Sequence, residues 1–153
     1  MIVMKFGGTS VEDAPAIDRV AGIVKSRLAD RPFVVVSAMA KVTDQLLAMA
    51  DAAGRGDRDK ALEICRALRE RHYLTAGELL GTGLHTDLHN ELGAEFDSLD
   101  ELLRGISAVG ELTPRTSDYV VSFGERLSSM IVVPAFLAVL NDDRYGNLAR
   151  YLK

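Results

Sequence analysis

Ile2-Val3-Met4-Lys5-Phe6-Gly7-Gly8-Thr9-Ser10 is an apolar segment with one lysine that runs straight into paired glycines. That pattern predicts a buried strand ending in a tight turn. Working outward, Ile17, Val20, Ala21, Val24 and Leu28 recur at helical spacing and make one apolar stripe. Asp13 and Pro15 stand where a cap and a first-turn proline belong. Asp30-Arg31-Pro32 breaks the stripe, and Phe33-Val34-Val35-Val36 reads as a second buried strand. Strand, helix and strand in such close succession require a parallel crossover, so the fold class is α/β.

Beyond Ser37 the pattern turns helical. A helix through Leu46, Leu47, Met49 and Ala50 is expected to start at Thr43 as cap and to stop at Gly54-Arg55-Gly56. Leu62, Cys65, Leu68 and His72 mark a further helix over about residues 58–80, and Gly81-Thr82-Gly83 breaks it. Leu99, Leu102, Leu103 and Ile106 mark another over residues 95–106. Thr113-Pro114 reads as a cap with proline at the first helical position. Ser122-Phe123-Gly124-Glu125-Arg126 is expected to open a last apolar helix near Leu127 to Leu140. The tail from Asn141 to Lys153 is polar. Residues 1–153 are read as one domain, and only two strands are evident, few for a parallel sheet.

Composition narrows the function classes. With 153 residues, 48 % hydrophobic and 26 % charged, the chain can bury one real core. A formal net charge of −4 argues against nucleic acid, because binding a phosphate backbone needs a concentrated basic face. The basic residues from Arg55 to Arg66 alternate with Asp57, Asp59 and Glu63, as on a solvated helix face. The single Cys65 cannot pair internally and falls at core spacing, which fits a reducing cytoplasm. No signal peptide pattern opens the chain, and the apolar run from Met130 to Leu140 is too short for a bilayer, so no membrane role is expected.

Four motifs could carry chemistry. Lys5-Phe6-Gly7-Gly8-Thr9-Ser10 ends the first strand, where glycines let backbone N–H groups approach phosphate oxygens and a lysine supplies charge. A strand ending in Gly-Gly serves a plain turn equally well. Ser37 and Thr43 follow the second strand at its C-terminal end, where open α/β sheets take their ligands; Thr43 would also serve simply as a helix cap. Gly124-Glu125-Arg126 could be a helix start with Glu favourably placed for the dipole. Asp143-Arg144-Tyr145-Gly146 is a polar turn whose Arg could clamp a carboxylate. His85 and His89 lack a third ligand at metal spacing and are given no role.

Taken together and in order, Lys5-Phe6-Gly7-Gly8-Thr9-Ser10-Val11, Val35-Val36-Ser37-Ala38-Met39, Val42-Thr43-Asp44 and Ser122-Phe123-Gly124-Glu125-Arg126-Leu127-Ser128 resemble the aspartate kinases of the amino-acid kinase family. The resemblance implies a three-layer α/β/α fold with parallel strands, here truncated and helix-rich. It implies ATP-dependent phosphorylation of the L-aspartate side chain, with Mg2+ carried by the nucleotide. By resemblance, Lys5 is catalytic and binds phosphate together with Gly7, Gly8 and Ser10. Ser37 and Thr43 contact aspartate, Glu125 takes its α-amino group, and Arg144 takes a carboxylate. The family's later nucleotide-binding segments and its C-terminal regulatory domain have no counterpart before Lys153. That leaves a second expectation, a non-catalytic remnant that binds aspartate or a subunit. A free sheet edge beside Val34 to Val36 would favour a homo-oligomer.

Overall fold

The computed structural model describes residues 1–81 and 86–140. Strand β1 (Ile2–Phe6) leads through a single 3-10 turn, Gly8–Val11, into helix α1 (Ala14–Ser26). The Asp13 side chain accepts from Ala16 N–H at 2.9 Å, so the cap stands where the sequence puts it. A second 3-10 turn and Arg31, in the left-handed region at φ 51°, bring the chain back to β2 (Pro32–Val36). The strands pair in parallel from Ile2 opposite Pro32 to Phe6 opposite Val36. Both therefore end at the same level, and both of their outgoing loops emerge on one side.

Four helices complete the described chain: α2 (Val42–Gly54), α3 (Arg58–Leu80), α4 (Thr86–Val109) and α5 (Pro114–Leu140). Gly56, at φ 79°, turns the chain from α2 into α3, whose first turn is capped by Asp57. Thr113 caps α5 through its hydroxyl, which accepts from Thr116 N–H at 3.1 Å. Helices α1 to α5 share one core, with Ile17, Leu46, Met49, Leu68, Phe96, Leu99, Phe123, Leu127 and Ile131 fully buried. By length and composition α5 could cross a membrane. Yet it buries Val120, Phe123, Leu127 and Ile131 within this core, as the central helix of a helical layer does.

Three sequence expectations change here. The strands are not buried on both faces. Phe6, Val34 and Val36 lean on the helical core, whereas Val3 and Phe33 on the opposite side are 69 % and 63 % exposed. Helix α2 begins at Val42 rather than after Thr43, because Lys41 adopts a left-handed conformation (φ 64°) and the helix buries Val42 completely. Thr43 thus lies exposed in the first turn and is not the cap. Ser122 to Arg126 do not open a helix either. They lie in mid-helix within α5, which runs unbroken from Pro114 and carries Pro134 inside it. The tail from Asn141, with Arg144, and His85 lie outside the described residues.

Candidate functional site

The three described motifs meet at Ala38. This residue sits just past the end of β2 and is buried. From one side, Gly8 approaches it so closely that a Cβ there would stand 3.0 Å from Ala38 O and 3.4 Å from the Ala40 backbone. From the other, a Cβ on Gly124 would stand 2.8 Å from Ala38 Cβ and 3.2 Å from Leu46 Cδ1. Side chains at either position would push the loops apart. The two glycines are needed because backbone from β1 and from α5 must both press against the loop that leaves β2.

Around this junction lie several of the polar groups that the sequence singles out. Ser37 is half-buried; its N–H donates to Phe6 O at 3.1 Å, continuing the ladder by one residue. Its hydroxyl accepts from Lys5 Nζ at 3.5 Å, so the lysine of the first motif and the serine of the second are neighbours. Lys5 lies on the exposed face of β1. Ser10 N–H donates to Gly7 O at 2.9 Å, which closes the turn that holds Gly7, Gly8 and Ser10 together. The start of α2 follows at once. Val42 N–H donates to Met39 O at 3.0 Å, and only the short loop through Ala38 to Lys41 separates the first turn of α2 from Ser37. Such helix starts present amides that suit a carboxylate.

Glu125 is exposed and directly follows Gly124, so its backbone is fixed beside the Ala38 contact while its side chain reaches solvent. Arg126 turns the other way. It donates to Glu95 of α4 at 2.8 Å and lies over the Phe123 ring at 4.6 Å, so it ties α5 to α4 and takes no part in the junction. Among the described residues, no three His, Cys, Asp or Glu side chains converge as metal ligands.

Two buried groups that the sequence reading placed in the core are there. Burial pushes the Cys65 thiol up to about 11, with Asp100 adding to the shift. Burial also lowers the His72 imidazole to about 4, against an opposing hydrogen bond in which Nδ1–H donates to Leu68 O at 2.8 Å; Arg71 lowers it further. Sequence reasoning missed Arg71 itself. Its guanidinium donates to Ala40 O at 2.8 Å and to Glu12 O at 2.9 Å, bridging the loops that follow β2 and β1. Inside a charged helix nothing in the local pattern distinguishes it from its neighbours.

The sequence model of the amino acid kinase family matches residues 1–149. The chain belongs to the amino acid kinase family. Aspartokinase 2, chloroplastic, of Arabidopsis thaliana is 39 % identical over 97 % of this chain and 25 % of that protein. A bifunctional aspartokinase/homoserine dehydrogenase 1, chloroplastic, of Zea mays is 35 % identical over 85 % of the chain and 14 % of that protein. The crystal structure of E. coli aspartokinase III in complex with aspartate and ADP superposes with a TM-score of 0.73 at 28 % identity, over 91 % of this chain and 29 % of that one. Its complex with lysine and aspartate gives 0.72 over 94 % and 29 %. The chain therefore spans about a quarter of the length of the aspartokinase relatives it matches. The truncated, helix-rich α/β architecture agrees with these solved structures of the amino acid kinase fold.

Proposed function

We propose that this chain forms the aspartate-binding and phosphate-facing side of an aspartate kinase site. In that reaction a side-chain carboxylate oxygen of L-aspartate attacks the γ-phosphorus of ATP, and ADP leaves with the electrons of the broken P–O bond. Such a transfer asks the protein for positioning and charge neutralisation, not for a covalent intermediate. Lys5 offsets charge on the phosphoryl group in flight, and Gly7, Gly8 and Ser10 line its path. Ser37 and Thr43 hydrogen-bond the aspartate, Glu125 pairs with its ammonium, and Arg144 takes a carboxylate. Magnesium, bound to the ATP, supplies charge neutralisation at the phosphates.

The observation that carries the reading is the convergence of three separate motifs on Ala38, with Lys5 Nζ on the Ser37 hydroxyl. A lysine and a hydroxyl at the common end of two parallel strands suit a phosphate moving toward a bound carboxylate. The similarity to a protein solved with aspartate and ADP supports the same ligand pair. A free, buried thiol accords with a reducing compartment, and we place the chain in the cytoplasm.

One observation favours a second reading, an aspartate-binding or subunit-binding chain without turnover. The outer face of the sheet, with Val3, Phe33 and Val35, is left uncovered by the described residues, which leaves an apolar surface that a subunit could cover. Hydroxylamine separates the two readings, because it traps an acyl phosphate as the hydroxamate. The chain incubated with ATP, magnesium and L-aspartate should yield hydroxamate that is lost in Lys5→Ala. A yield no greater than that of Lys5→Ala would rule out turnover by this chain and leave the binding reading.

A further inference from the structure

We propose that Arg71 is a positioning residue that locks the phosphate-facing loop and the aspartate-facing loop at a fixed separation. The inference rests on the reading of these two loops as the halves of one site. Arg71 lies on α3, remote in sequence from both. Its two terminal nitrogens reach two different main-chain carbonyls, Ala40 O at 2.8 Å and Glu12 O at 2.9 Å. Glu12 closes the Gly8–Val11 turn and directly precedes Asp13, the cap of α1. Ala40 directly precedes Lys41, the left-handed residue from which α2 starts. One planar cation thus holds both crossovers where each loop becomes a helix.

The geometry makes this more than a surface tie. Ser37 N–H on Phe6 O ties the two loops where they leave the strands, and Gly8 packs against Ala38 and Ala40 just beyond. Arg71 adds a tie at the far end of each loop, where it enters its helix, so the pair is held at both ends. A lysine could not do the same, because one ammonium on a flexible stem lacks the rigid fork that spans two carbonyls. Each loop also carries a main-chain hydrogen bond that reports on its order: Ser10 N–H to Gly7 O, and Val42 N–H to Met39 O.

Amide hydrogen exchange on the chain without ligand tests the clamp independently of any activity. In Arg71→Met the Ser10 and Val42 amides should exchange about tenfold faster, while Leu68 and other core amides of α3 keep their wild-type rates. Arg71→Lys should leave at least one of the two loops loosened. Unchanged Ser10 and Val42 rates in Arg71→Met, or a uniform rise along α3, would overturn the proposal, and so would full protection of both loops in Arg71→Lys. A parallel titration with L-aspartate keeps the two ideas apart. Loosened loops in the variant with no aspartate binding by the wild type would leave the clamp standing and reject the site reading.

Discussion

Gly124, in the middle of α5, faces Ala38 so closely that a Cβ on the glycine would lie 2.8 Å from the alanine Cβ. This contact brings the third motif to the other two, and it sets two opposing effects against each other. A glycine inside a helix costs about 1 kcal/mol relative to alanine, so propensity alone favours Gly124→Ala. Overpacking a core contact costs about 1–3 kcal/mol, and Leu46 and Val42 leave the loop little room to retreat. Overpacking should win, and Gly124→Ala should lose about 1 kcal/mol in urea unfolding. Gly105→Ala, in α4 with nothing within 4 Å of the new Cβ, should instead gain about 0.5–1 kcal/mol.

His72 should make the fold sensitive to acid. Its imidazole is held down to about 4 by burial, edge-on to Phe96 at 5.5 Å. The unfolded chain takes up a proton near pH 6.5, whereas the folded chain resists until about 4. The folded state therefore binds fewer protons in that window, and its stability falls as pH drops through it. The loss should be on the order of 3 kcal/mol across the window. His72→Gln should flatten that slope in urea titrations at pH 7 and pH 4.5, even if it lowers stability at both. An unchanged slope would show that carboxylates dominate the acid response.

Cys65 should be chemically inert in the native state. Its thiol is buried and pushed up to about 11, so little thiolate is available near neutral pH. A thiol-specific disulfide reagent at pH 8 should react only as fast as the chain opens, and at once in strong denaturant. The raised value also means that the thiol's stabilising contribution is present below about pH 9 and is lost as pH rises through about 11.

The outer face of the β1–β2 pair should drive self-association. Val3 and Phe33 are well exposed there, and among the described residues both strands of the sheet are edges. Sedimentation of the chain should show a concentration-dependent oligomer, and Phe33→Lys should shift it toward monomer without a loss of stability. A wild-type chain that stays monomeric at high concentration would contradict this.

What the sequence makes legible follows from how local each signal is. The βαβ start is set by β-branched runs, a capped amphipathic helix and a break near Arg31-Pro32, so its elements agree with the structure, although α1 ends at Ser26, short of Leu28, and β2 already includes Pro32. The exposure of the strands is not local. Phe33 and Val35 read as buried because parallel strands are usually covered on both faces, and nothing inside the pentapeptide tells whether a covering layer is present. Gly124 reads as a helix boundary because glycine is a breaker by propensity; its contact with Ala38, far away in sequence, is what explains it in mid-helix. Thr43 reads as a cap for the same kind of reason, until the burial of Val42 moves the helix start earlier. At the junction, the Lys5–Ser37 contact joins two motifs that the sequence already singles out, whereas Arg71 reaches only carbonyls that the fold brings to it.

The central claim is that this chain carries the aspartate side of the site, and calorimetric titration with L-aspartate tests it most directly. The account predicts saturable binding by the wild type that weakens about tenfold or more in Glu125→Ala, from loss of a charge-assisted contact to the ammonium. The Glu125 side chain is exposed, so the variant should unfold at the wild-type urea concentration. No heat of binding by a folded wild-type chain, or equal affinity in Glu125→Ala, would contradict it.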